Sequence, residues 1–85
     1  MRSFMYTIKV PVGLHARHAG LLVKAASLYQ SAVTVSLGDK SADGKRILGL
    51  MGLGVKQGDV VTVAAEGANE DAAIIAISSF FQNNL

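Results

Sequence analysis

Two side chains in the segment Gly13-Leu14-His15-Ala16-Arg17-His18-Ala19 could do chemistry: the imidazole of His15 and the guanidinium of Arg17, two residues on. They fall where a strand-like run and a turn give way to a helical pattern. A helix start gathers unpaired N–H groups and partial positive charge, so an imidazole there is suited to carrying an anion. No Asp or Glu lies near His15 in the chain, which leaves a Ser-His-Asp relay or a carboxylate pair without local support. Cysteine is absent, which excludes a Cys-His pair, disulfides and Cys-ligated metals together. What remains is histidine as a nucleophile, a neutral ring nitrogen attacking an electrophile such as a phosphoryl group.

A helix N-terminus and the Arg17 cation both oppose positive charge on the attacking ring, and both favour the product. A phosphoryl group brings roughly −1.5 to −2 of charge and can accept bonds from the amides of Ala16 and Arg17 and from the Arg17 side chain. Each exposed helix-end charge interaction contributes only about 0.3 to 1 kcal/mol, so the group is held without being trapped. His15 and His18, three residues apart, could begin a metal site. Such a site needs three or four ligands and no third is evident, so neither a metal nor a cofactor is expected.

The elements that must position these residues follow from periodicity. Phe4, Tyr6, Ile8 and Val10 alternate with Met5, Thr7 and Lys9 as a first strand, and Pro11, Val12 and Gly13 turn the chain. Ala19, Leu22, Val23, Ala26 and Tyr29 form one stripe of a helix from Ala16 to about Tyr29. Val33, Val35 and Leu37 make a second strand, joined through Gly38-Asp39 to a short third strand around Lys40 to Ala42. The dense apolar run from Lys45 to Leu53 reads as a short helix ending at a glycine cap. Val60 to Ala65 is the strongest strand signal, and Asn69 is a plausible N-cap for a last helix carrying Ile74, Ile77, Phe80 and Phe81. The order βαββαβα implies an α+β fold: a four-stranded antiparallel sheet with three helices on one face and the other face wet.

The 85 residues support a single domain, 1–85, and the 51% hydrophobic content against 16% charged residues argues for a packed core. A net charge of +2, with the basic residues scattered, is far below the basic stripe of a nucleic-acid-binding domain. No signal peptide or membrane-spanning stretch is apparent, so a cytoplasmic location without membrane insertion is expected. Gly49, Gly52 and Gly54 lack the Lys-Ser/Thr of a nucleotide-binding loop and read as caps and close packing.

Gly13-Leu14-His15-Ala16-Arg17, with Lys45-Arg46-Ile47-Leu48-Gly49-Leu50-Met51-Gly52-Leu53-Gly54-Val55-Lys56-Gln57-Gly58-Asp59 at the matching interval, closely resembles the histidine-containing phosphocarrier (HPr) family of the bacterial phosphoenolpyruvate-dependent sugar phosphotransferase system. The resemblance covers nearly the whole chain. It implies an open-faced β-sandwich in which His15 takes a phosphoryl group on Nδ1 from Enzyme I and passes it to the IIA domains of sugar transporters, with Arg17 helping to hold it. The protein would be a carrier rather than a turnover enzyme, and a monomer. Its partners would dock through the short helix and the start of the first, on Gly20, Lys24, Arg46, Ile47, Leu48 and Met51. Ile47, Leu48 and Met51 also suit an exposed apolar patch on physical grounds, because so short a helix cannot bury every side.

Two departures stand out. His18 occupies a position where the family usually has proline, and three uses are open to it: binding phosphate with Ala16 and Arg17, competing for it, or facing solvent. Arg46 stands where many Gram-positive members carry a regulatory serine, so serine-dependent control is not expected here, and nothing marks Ser41 as a substitute. The alternative reading is a regulatory binding protein of the same fold outside the sugar pathway, and a weaker third is a metal- or anion-binding module.

Overall fold

The computed structural model describes residues 1–85 in the order β1 (Arg2–Thr7), α1 (Ala16–Ala26), β2 (Ala32–Leu37), β3 (Lys40–Asp43), α2 (Ile47–Gly52), β4 (Val60–Glu66) and α3 (Glu70–Asn84). The four strands form one antiparallel sheet in the order β1-β4-β2-β3. The strongest strand of the sequence, β4, is therefore central. Its Val61, Val63 and Ala65 are buried, while Val60 is exposed and Thr62 and Ala64 are half-buried, the period-2 pattern of a sheet covered on one side.

Register carries that apolar face across the sheet: Phe4 pairs with Val63, Val63 with Val35, and Val35 with Ala42. The helices pack on this row. Leu22 and Ala26 of α1, Leu50 of α2 and Ile77 and Phe81 of α3 are buried there. Phe81 takes the edge-to-face contacts of Phe4 and Tyr6, both at 5.6 Å between ring centroids. The architecture is the open-faced α+β sandwich expected from the sequence. No helix is long and apolar enough to cross a membrane.

Three element ends differ from the sequence reading because other groups capture the backbone, and at a fourth the expected cap residue is in place without its capping bond. β1 stops at Thr7 rather than Val10, since Lys9 and Val10 both donate their amides to the Leu85 carbonyl oxygen. α1 stops at Ala26 rather than near Tyr29; there the chain tightens, with Tyr29 donating to Ala26 at 3.2 Å, and the buried Ser31 hydroxyl donates to the Ala68 carbonyl. α2 begins at Ile47 rather than Lys45, whose amide donates to Asp43 Oδ1 and whose ammonium donates to the Tyr29 carbonyl. Asn69 stands at the N-cap of α3, but at φ +66° its side chain makes no capping bond; the Glu70 carboxylate instead accepts the Gly67 amide at 3.0 Å.

Candidate functional site

The site is built on a short anchored stretch ahead of α1. Gly13 has φ +68°, a region open to glycine at little cost, and a side chain there would strike the Val55 carbonyl and the Lys56 backbone. Leu14 is buried and donates its amide to the Val55 carbonyl at 3.2 Å. These two contacts fix where the next residue leaves the core, and that residue is His15.

His15 is the N-cap of α1, with extended backbone (φ −105°, ψ −178°), and its carbonyl accepts the first helical bond from Ala19 at 2.9 Å. Its side chain caps as well: Nδ1 accepts the Arg17 amide at 3.2 Å. An amide can only donate, so Nδ1 carries the lone pair and the proton of the neutral ring sits on Nε2. The unprotonated ring nitrogen is thereby the one nearest the helix start. The amides of Ala16 and His18, the other unpaired donors of this first turn, have no protein acceptor. No carboxylate is bonded to the ring, so the acid-assisted relays left open by the sequence find no partner here.

Around this ring the predicted residues divide clearly. Arg17 is exposed and takes part in no ion pair. The His18 ring lies 4.2 Å from that of His15, with its Nδ1 at 3.4 Å from the Gly13 carbonyl oxygen. Arg17, Gly20 and Lys24 recur at helical spacing on the side of α1 opposite the buried Ala19, Leu22 and Ala26, and α1 packs beside α2. On α2, Leu50 is fully buried, while Leu48 is 85% exposed and Ile47 and Met51 are more than two-fifths exposed. Arg46 sits at the N-cap of α2 without a side-chain capping bond and reaches toward Asp43 at 3.8 Å.

Two contributors escaped the sequence reading. Leu21 is 41% exposed and shares a face with Arg17, a signal that the i, i+4 spacing could have given. Val55, whose carbonyl holds Leu14, had no such signal, since the bond pairs segments remote in the chain.

Known proteins share this sequence and fold. Residues 2–83 match the family model described as the PTS HPr component phosphorylation site. The phosphocarrier protein HPr of Lysinibacillus sphaericus is 42% identical over 79 residues, spanning 93% of this chain and 90% of that one. An HPr crystal structure from Thermoanaerobacter tengcongensis superposes with a TM-score of 0.92 at 41% identity, covering 98% of this chain and 93% of that chain. Crh, a catabolite repression protein of Bacillus subtilis solved as a swapped dimer, superposes with a TM-score of 0.79 at 32% identity, over 94% of this chain and 92% of that one. With a histidine at the start of α1 set to offer a ring nitrogen, on this sheet and in this order, the chain belongs to the HPr family of phosphocarrier proteins.

Proposed function

We propose that this chain is the cytoplasmic phosphocarrier of a sugar phosphotransferase system, taking a phosphoryl group on His15 from phospho-Enzyme I and giving it to IIA domains. His15 Nδ1 attacks phosphorus, the N–P bond forms as the donor's bond to phosphorus breaks, and the donor keeps the released electron pair. The Arg17 amide then loses its ring acceptor and gains a phosphoryl oxygen, joined by the unpaired amide of Ala16 and the Arg17 guanidinium. Release reverses the exchange, and the amide returns to Nδ1. The observation that carries this reading is the Nδ1 contact with the Arg17 amide, because it keeps the attacking lone pair free of a proton and aimed at the helix start.

Docking of both partners falls to the exposed side of α1 and α2, Gly20, Lys24, Arg46, Ile47, Leu48 and Met51, where apolar side chains and cations meet an acidic, apolar partner face. The carrier acts as a monomer, turns over no small substrate by itself, and lacks serine-dependent control because position 46 is arginine.

Incubation with phosphoenolpyruvate and Enzyme I tests this directly. Mass spectrometry should show the gain of one phosphoryl group that is labile in acid and missing from His15→Ala. A second reading, a regulatory binder of the same fold, draws on the likeness to Crh and on His18 and Arg46. No mass gain, with partner binding intact, would favour the binder.

A further inference from the structure

The ring of His18 covers the ring of His15: their centroids are 4.2 Å apart and their planes are tilted by 39°. His18 is itself held, because its Nδ1 lies 3.4 Å from the Gly13 carbonyl oxygen, which can only accept. That carbonyl belongs to the residue locked against Val55 and Lys56. A chain of contacts thus runs from the fixed turn, through the second imidazole, to the first.

Imidazole lone pairs lie in the ring plane, so rings stacked at this distance do not aim nitrogens at each other. The arrangement suits neither a joint grip on one metal ion nor the passage of a phosphoryl group from one ring to the other. It suits a brace. We propose that His18 is a positioning residue for His15: packed on one face of the ring, it restricts rotation and keeps Nδ1 in line with the Arg17 amide, where the phosphoryl group is received. The inference rests on His15 being the acceptor and adds what the second histidine does for it.

The test uses the whole protein labelled with ¹⁵N at histidine, together with His18→Ala, which removes the ring, and His18→Phe, which keeps a flat face without a nitrogen. In the unphosphorylated wild type at a pH where His15 is neutral, the ring nitrogen shifts should report one tautomer, Nδ1 bare and Nε2 protonated. His18→Ala should move both shifts toward tautomer-averaged values and slow phosphoryl acceptance about three- to tenfold, the range an aromatic contact supplies. His18→Phe should restore the shifts and most of the rate. The proposal is overturned if His18→Ala leaves the His15 shifts and the rate unchanged. It is equally overturned if His18→Phe is as slow as His18→Ala, which would make His18 a charge or hydrogen-bond partner of the phosphate. Should the wild type accept no phosphoryl group, the carrier reading falls, while the tautomer comparison still decides whether His18 braces His15.

Discussion

Leu14 hangs from Val55: its amide donates to the Val55 carbonyl at 3.2 Å, and the Gly13 Cα sits so close to that oxygen that a methyl group would collide with it. Through this pair the loop after α2 sets the position of His15. Gly13→Ala should therefore cost about 2 to 4 kcal/mol, combining left-handed strain with a backbone shift, as read by chemical denaturation. Acceptance at His15 should fall together with stability. Unchanged stability would mean that the loop yields freely and does not fix the histidine.

Arg17 contributes twice, through an amide that any residue supplies and a guanidinium that only arginine does. Arg17→Ala leaves the capping bond to His15 Nδ1 in place and removes the cation. The phosphorylated form should lose about 0.5 to 2 kcal/mol of stabilisation, seen as a roughly two- to thirtyfold shift in the phosphoryl exchange equilibrium with the donor. The shift should shrink as salt is raised, since the guanidinium is exposed. A salt-independent defect would point to a packing role instead.

The amide of His18 has no protein acceptor, so the ring of a proline there takes away no bond. His18→Pro should fold normally and still gain one phosphoryl group by mass. Complete loss of acceptance would show the second imidazole to be essential to the chemistry rather than to its positioning.

How far the sequence reaches is visible in particular elements. β4 and the core stripe of α1 were legible because burial on one face imposes a period, and Val61, Val63, Ala19 and Leu22 obey it. The start of α1 at Ala16, and so the capping place of His15, was legible for the same reason. The ends of β1, α1 and α2 were not, since Leu85, Ala68 and Tyr29, remote in the chain, and the side chain of nearby Asp43 take up the groups beside them. Within the site, the pairing of His15 with Arg17 could be anticipated from spacing. The stacking of His18 on His15, and the tie of Leu14 to Val55, depend on side-chain rotation and long-range pairing that no local pattern encodes.

Leu48 and Leu50 lie two positions apart on α2, one 85% exposed and the other fully buried. Leu50→Ala should destabilise the fold by about 2 to 5 kcal/mol through the lost burial and the cavity left behind. Leu48→Asp should stay within about 0.5 kcal/mol of the wild type in stability. It should nonetheless weaken binding to a IIA domain tenfold or more, by placing a charge in an apolar contact. Titration calorimetry with a IIA domain, beside thermal melts, separates the two effects; equal affinity for Leu48→Asp would remove α2 from the docking surface.

Glu70 links β1 to α3 and gives the fold an acid-sensitive seam. Its carboxyl is held below the usual glutamate range, first by the Gly67 amide and next by the hydrogen bond from the Met1 ammonium, 3.0 Å away, with desolvation opposing and Arg2 adding slightly. A carboxylate whose native pKa is depressed stabilises the fold above its unfolded pKa, and that stabilisation is lost as pH falls through the native value. Wild-type stability should therefore decline below about pH 4.5 more steeply than that of Glu70→Gln, which keeps an acceptor for Gly67 but no charge. Denaturant midpoints of the two proteins should differ at pH 7 and converge once the pH lies below the native pKa of Glu70. A gap that stays constant with pH would mean the Glu70 charge is not what joins the strand to the helix, leaving the Gly67 bond alone to hold that turn.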